Sequence, residues 1–525
     1  MFIIMSGDYV CSELRSEFGV LPPSFLPVGN KRLYEHQVSI LDDIDNDGIL
    51  VLPEGYEISP HDKERLRLRG LRTQTVNDKY ALGQSIFSVL SNLEIENHTT
   101  IRLIWGDTLF YKVTDDIDII AVSRAADNYD WGYVEPYRLY GSDAINALLN
   151  EDSILTGFFC FSCGLSFLRA LSSTNCDFFE ALKEYQSVKE LKYYFDDNWL
   201  DFGHAKTYYR SKALYTTQRS FNDLNFTSRL ATKTSTDKFK MASEADWYLS
   251  IPDDLKIYTP RFIRFEDKGV KASYSIEHLY LISLSELYVF SELPKSIWMK
   301  IFHSCFEFVD ACSNYTIEQE DIVISTFSAL FLDKTLIRLE EYRSQSGVSQ
   351  NFKWSFDGFS ASLNDVFNYA TSFLPPIDNS MTVFHGDFCF SNVLYDFRTD
   401  IIKVIDPRGY VERGVSSCFG LRFYDIVKLA HSVVGNYDSI ICGYYKLELD
   451  AHVISFEIQE GRSRQDIKES FLSLVEKRYG YSKKSLYAGQ IMLFMSMLPL
   501  HNDKPDRQFA LLANVFRLFR EMESF

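Results

Sequence analysis

The sequence has no run approaching the about 20 consecutive apolar residues that a bilayer-spanning helix requires, so no membrane insertion is expected. Its start, MFIIMSGDYV, loses its apolar character at Ser6 and carries no basic leader, unlike a secretory signal. Basic charge is also in short supply. The 54 Lys and Arg stand against 72 Asp and Glu, a formal charge of −18, which repels a polyphosphate chain and argues against nucleic acid as a partner. A local nucleotide pocket stays compatible with that field, because it needs only a few fixed donors and metal ions. The nine cysteines form no repeating framework, and Cys160 and Cys163 lack a second pair at zinc-like spacing. Reduced, buried thiols in a cytoplasmic protein are expected. Internal repeats, low-complexity tracts and long flexible linkers are absent.

What the chain has is apolar bulk. Hydrophobic residues make up 46% of its 525 residues, with 42 Phe and 32 Tyr, more than one ordinary core holds. Up to about Tyr215, short apolar runs (FIIM, GILVLP from Gly48, TIRLIWGD from Thr100, DIDIIAVS from Asp116) alternate with helical stretches such as LGQSIFSVLSNL. That alternation predicts an α/β domain with a mostly parallel sheet. From Arg219, RSFNDLNFTSRLATKTS reads as an antiparallel hairpin, followed by a helix at DKFKMASEADWYLSI and a strand at TPRFIRFE. Long amphipathic stretches, among them IEHLYLISLSELYVFSEL and SIWMKIFHSCFEFVDAC, fill the remainder. The boundary is placed between residues 1–217 and 218–525.

The most informative segment begins at Phe384: FHGDFCFSNVLYDFRTDIIKVIDPRG. It places Asp387 and Asn392 five residues apart on a loop and Asp406 at the end of an apolar strand. Phosphoryl transfer needs this inventory: one carboxylate to accept or orient a hydroxyl proton, and an oxygen-rich pair to hold the magnesium that neutralises phosphate oxygens. Asp387 is the candidate catalytic base, Asn392 and Asp406 the candidate metal ligands, and His385 a loop-supporting residue. An Asp-rich turn is common on its own, but four placed residues with an apolar strand between them are not.

This pattern resembles the aminoglycoside phosphotransferase and choline kinase family, with its His-x-Asp-x-x-x-x-Asn signature and apolar strand ending in Asp. The resemblance spans about Arg219 to Phe525. It implies a two-lobed, protein-kinase-like α+β domain that binds ATP and Mg2+ and phosphorylates a small-molecule hydroxyl. It also calls for a strand lysine held by a helix glutamate, for which Lys233 and Glu244 sit in the right order. Lys238 and Lys240 are alternative phosphate ligands, and all three lysines are compatible with a solvated surface. YDIVKLAHS, from Tyr424, looks like the helix that closes the motif region, with Asp425 supporting the loop.

The first half carries a second, incomplete resemblance. PPSFLPVGNKRLYEHQVSIL, IWGDTLF, TGFFCFS and WLDFGHAKTYYRSKA are similar to segments of sugar-nucleotide pyrophosphorylases, covering most of Met1 to Ala213. A Rossmann-like nucleotidyltransferase sheet is implied, with Asp107 and Asp201 on the positions that bind magnesium for a second nucleoside triphosphate. The expected Gly-rich phosphate loop is missing: SGDYVCSELRSEFG offers only Gly7 and Gly19. Pro23 stands where the family has lysine, and Lys31, Arg32 and Arg15 are the candidates to compensate. Three readings stay open for this half: an active nucleotidyltransferase, a ligand-binding domain without turnover, or a structural platform. The pairing implies a kinase joined to a nucleotidyltransferase, making a nucleotide-activated precursor for capsule or lipopolysaccharide. The rival is a small-molecule kinase whose first domain is catalytically inactive.

Overall fold

Continuous apolar runs near the start of the chain become the middle of a sheet, where both faces are covered and no polar alternation is needed. The strands are β1 (Phe2–Met5), β2 (Gly48–Pro53), β3 (Leu71–Val76), β4 (Ile101–Trp105), β5 (Ile119–Arg124), β6 (Ser153–Phe161) and β7 (Lys192–Phe195). They order as β7-β5-β6-β4-β1-β2-β3. All neighbours are parallel except β6, which runs antiparallel between β4 and β5. Helices α1 (Leu82–Ser91), α2 (Gly164–Ser173) and α3 (Phe178–Val188) turn Ile86, Phe167 and Tyr185 into the same buried cluster as Ile3, Val51, Leu103 and Phe159. The computed structural model describes residues 1–41, 47–124, 153–219, 224–376, 380–459 and 464–525. The chain divides into two compact units, Met1–Thr216 and Thr217–Phe525.

The C-terminal unit opens with a four-stranded antiparallel sheet: β8 (Leu224–Phe226), β9 (Leu230–Ser235), β10 (Phe262–Asp267) and β11 (Ala272–Glu277), in the order β8-β9-β11-β10. The first turn of the hairpin read from Arg219 includes residues 220–223, which lie outside the described residues. Helix α4 (Lys238–Ser250), capped by the Asp237 side chain on the Lys240 N–H, crosses this sheet. IEHLYLISLSELYVFSEL departs from its helical expectation. Ile276 and Glu277 finish β11, and the helix is only Leu284–Phe290, started by Ser283 accepting from the Glu286 N–H. The alternation in this stretch belongs to strand pairing as much as to a helix face.

Beyond it, helices dominate: α5 (Lys295–Ser313), α6 (Lys334–Ser346), α7 (Arg422–Val433), α8 (Lys483–Met497) and α9 (Pro505–Glu523). α8 is buried on nearly every side, as its apolar sequence requires, and packs against α6, α7 and α9. A hairpin of β12 (Val393–Asp396) and β13 (Ile401–Val404) delivers the functional loop. All nine cysteines are free. No helix among the described residues is long and apolar enough to cross a membrane.

Candidate active site

Between the strand Met381–Val383 and the β12–β13 hairpin, His385 to Asn392 form a loop that enters the hairpin through a tight 3-10 turn, Phe390–Asn392. α7 holds the loop from behind. The Asp425 carboxylate accepts from the His385 N–H at 2.7 Å and from the Gly386 N–H at 2.8 Å. Burial raises the Asp425 carboxyl to about 7 in spite of those donors. His385 is buried and its Nδ1 accepts from the Asp387 N–H at 3.3 Å. Burial outweighs the nearby Asp387 charge and lowers the imidazole to about 4, leaving it neutral at physiological pH. Trp247 on α4 donates to the Phe384 carbonyl at 2.7 Å and sets its ring edge-on to His385.

Asp387 then faces a cleft of about 250 Å3. Asn392 Nδ2 donates to Asp387 Oδ2 at 3.0 Å, and Lys428 Nζ lies 2.8 Å from Oδ1. Desolvation pushes this carboxyl up, but Lys428 outweighs it and holds the group well below the usual carboxylate range. The side chain is 40% exposed to the cleft, which weakens the desolvation and leaves the direction unchanged.

The opposite wall is built by β9 and α4. Lys233 Nζ lies 2.8 Å from Glu244 Oε2 and 3.2 Å from Asp406 Oδ2. Tyr274 on β11 donates to the same Glu244 oxygen at 2.9 Å and to Asp406 Oδ1 at 3.1 Å. Burial alone would lower the Lys233 ammonium, yet Asp406 and Glu244 raise it, so it stays charged. The three candidate lysines separate here. Lys238 is drawn away to Asp267 at 2.7 Å, whereas Lys240 lines the cleft at 3.8 Å from Glu244. The return loop after Asp406 touches α4 at Gly409, whose φ is +71° and where a Cβ would stand 2.1 Å from the Ser243 carbonyl oxygen. Lys334, Arg408, Tyr424 and Lys428 also line this cleft and were not singled out by the sequence for any role there. Tyr424 and Lys428 are one helical turn apart on α7, an i, i+4 pair that a helical reading of YDIVK places on one face.

In the N-terminal unit, two-residue strands do the positioning. Thr108–Leu109 pairs antiparallel with Leu200–Asp201, setting Asp201 opposite Thr108 and beside Asp107. Gly203 leaves the space open, since a Cβ there would lie 2.7 Å from Asp107 Oδ2 and 3.3 Å from Asp201 Oδ1. Burial, reinforced by the Asp201 charge, raises the Asp107 carboxyl to about 7. Asp201 Oδ2 is buried with no hydrogen-bond donor within reach, the His204 imidazole Nδ1 standing 3.7 Å away. The adjacent Asp201 carboxylate raises the His204 imidazole against its burial. Of the residues offered as substitutes for the missing phosphate lysine, Arg32 is committed elsewhere: it donates to the Phe25 carbonyl at 2.8 Å and pairs with Asp62 at 3.1 Å, both buried. Arg15 is exposed, with its guanidinium over Tyr9. Pro23 opens a 3-10 turn, Pro23–Phe25, where a missing N–H costs nothing.

Both places suit a divalent cation. Paired carboxylates with an orphaned oxygen at Asp107 and Asp201, and a carboxylate with a nearby amide at Asp406 and Asn392, are hard oxygen donors of the kind magnesium selects. Among the described residues no group of three or more His, Cys, Asp or Glu side chains is placed to hold a metal ion.

No protein-family model matches the chain, and no curated protein matches it. Solved structures do. An aminoglycoside phosphotransferase, as a thermostable mutant, is 12% identical with a TM-score of 0.33, covering 59% of this chain and 98% of that one. A choline kinase from Streptococcus pneumoniae is 13% identical with a TM-score of 0.32, covering 57% and 89%. An inositol-1-phosphate CTP transferase from T. maritima is 17% identical with a TM-score of 0.30, covering 40% and 94%. The structural neighbours thus include phosphotransferases and nucleotidyltransferases, the two classes that the sequence resembles.

Proposed function

We propose that the chain is a bifunctional enzyme. The C-terminal unit moves the terminal phosphoryl group of ATP onto a hydroxyl of a sugar or small alcohol. The N-terminal unit joins the resulting phosphate to a nucleoside triphosphate with release of pyrophosphate. The product is a nucleotide-activated precursor for surface polysaccharide. The observation that carries the kinase reading is the Asp387 carboxylate, fixed by Asn392 at 3.0 Å and Lys428 at 2.8 Å in one cleft with the Lys233–Glu244 pair and Asp406.

Asp387, ionised and immobile, accepts the hydrogen bond of the acceptor hydroxyl and aims its oxygen. That oxygen forms the new bond to phosphorus, the bond to the ADP oxygen breaks with its electron pair leaving on ADP, and the hydroxyl proton passes through Asp387 to solvent. Lys233, held by Glu244, presents its ammonium to the nucleotide phosphates without an ordering cost at turnover. Asn392 and Asp406 would hold magnesium, which supplies neutralisation of the phosphate charge. His385, neutral and buried, holds the loop. Asp107 and Asp201 would hold magnesium for the second triphosphate.

Asp387→Asn is expected to cut ATP-dependent phosphorylation by about 1,000-fold or more, the scale of a lost catalytic base or orienting carboxylate. Pyrophosphate release from a supplied phosphorylated substrate and a nucleoside triphosphate should continue. Loss of both activities in that one variant would sink the two-site reading. The reduced glycine loop and the committed Arg32 favour a second reading, in which the first unit binds a ligand without turnover. Under it, Asp107→Ala leaves every activity intact and no nucleoside triphosphate yields pyrophosphate.

A further inference from the structure

Charge is divided unevenly across the C-terminal cleft. On the wall of β9 and α4, Lys233 and Lys240 meet Glu244 and Asp406, and the signs balance. Around Tyr424 they do not. Lys334 Nζ lies 3.1 Å from the Tyr424 hydroxyl, Arg408 Nη1 lies 3.4 Å from the same oxygen, and Lys428 Nζ pairs with Asp387, the one carboxylate on this side of the cleft. Lys334 and Arg408 form no salt bridge with a carboxylate among the described residues, and Lys334 acts on Asp387 only from beyond salt-bridge distance. Burial, with Lys428 and Arg408 adding to it against the Tyr424 phenol, lowers the Lys334 ammonium. The same cations outweigh burial at Tyr424 and bring its hydroxyl down to about 8.

Like charges gathered in a half-buried wall repel one another, and an arrangement of this kind is completed by an anion. The triphosphate has its own cations on the opposite wall, Lys233 and Lys240, together with the metal donors Asn392 and Asp406. A cationic acceptor is disfavoured twice over. It would meet three positive charges, and the aromatic faces it would need are taken: the Arg408 guanidinium covers Tyr410 at 5.1 Å and the Lys334 ammonium covers Tyr424 at 5.7 Å.

Resting on the kinase reading above, we infer that the acceptor is itself an anion, a hydroxy acid or a phosphate ester, whose carboxylate or phosphate group is bound by Lys334 and Arg408 while its hydroxyl meets Asp387. Of the two residues, Lys334 comes from a helix far in sequence from the catalytic loop, and Arg408 from the turn just after Asp406. Both act on specificity, and the step itself is unchanged.

The test gives the full chain magnesium, ATP and matched acceptors: glycerol, glycerate and glycerol phosphate; glucose, gluconate and glucose phosphate; and choline as the cation. ADP release and product mass are read. An anionic member is expected to exceed its neutral parent in kcat/KM by about 100-fold, with the gain reduced at high salt, and choline to be inert. Glycerate and gluconate report a carboxylate subsite, and the phosphate esters a phosphate subsite. In parallel, calorimetry follows glycerate and inorganic phosphate binding to the protein loaded with magnesium and a non-hydrolysable ATP analogue. Lys334→Gln should weaken this binding by about tenfold, Lys334→Arg should restore it, and analogue affinity should not move. Arg408→Gln is the second variant, should Lys334→Gln fail to fold. Equal or better turnover of neutral or cationic acceptors would overturn the inference. So would the absence of anion binding to the loaded protein, or a loss confined to the nucleotide analogue in Lys334→Gln. Failure of the wild-type chain to bind the analogue at all marks a different failure, that of the kinase reading underneath.

Discussion

Asp107 lies close enough to Asp201 for that carboxylate's charge to oppose its ionisation. Asp107 is raised from the ordinary value of 3.8 to about 7 by burial first and by Asp201 second. The folded chain therefore keeps a proton there that the unfolded chain releases, and its contribution to stability is lost as pH rises from about 4 to about 7. In chelator at pH 8, Asp107→Asn should raise stability by on the order of 1–3 kcal/mol, and near pH 4 it should change little. Thermal melts at the two pH values check this. Magnesium at pH 8 should stabilise the wild type more than the variant, because the ion replaces the missing proton. Residue by residue, the sequence was readable where the chemistry is local. His385, Asp387 and Asn392 lie within eight positions and Asp406 comes two residues after the next strand pair, so one stretch of sequence names them as candidates. Lys334 and Lys428 were not readable, because they reach the cleft on helices and a lysine on a helix looks like any solvated lysine until its neighbours are known.

At the scale of elements, α7 connects the loop to the cleft. Asp425 on its first turn accepts two buried N–H groups, and Lys428 one turn later grips Asp387. Asp425→Asn keeps the shape but offers a single carbonyl oxygen for two donors and adds a donor of its own. It is expected to cost about 1–3 kcal/mol of stability, read as a lower urea midpoint in the same buffer. It should also lower kcat for phosphorylation while KM for ATP stays within about twofold, since the loop moves and the Lys233–Glu244 wall does not. A stability loss with unaltered kcat would mean that α7 supports the fold and not the geometry of Asp387. The elements that the sequence reveals are those buried on both faces: FIIM and GILVLP have no other reading. β3 escaped, because LRTQTV buries only its two ends at the edge of the sheet and reads as polar chain. β6 entered the sequence reading only through TGFFCFS, a stretch of the resemblance, and its antiparallel direction between β4 and β5 leaves no mark in composition. The pairing that brings Asp201 to Asp107 rests on strands of two residues, below the length at which any period can be counted.

At the scale of the whole molecule, each unit has its own sheet, its own apolar core and its own cluster of carboxylates. Binding to one unit stabilises that unit's native state by mass action, by about 2.7 kcal/mol at a ligand concentration 100 times the dissociation constant. The other unit gains only through whatever contact couples the two. Differential scanning calorimetry of the full chain should therefore resolve two transitions. A non-hydrolysable ATP analogue with magnesium should raise one of them, and Asp406→Ala, which removes a cleft carboxylate that pairs with Lys233, should abolish that shift. A second nucleoside triphosphate with magnesium should raise the other, and Asp107→Ala should abolish that shift alone. A single transition moved by both nucleotides would show that the units unfold together. On the two-step reading proposed above, an intermediate that is released by one unit before the other captures it is open to exchange, and an added excess of unlabelled phosphorylated acceptor should then dilute a labelled product in proportion.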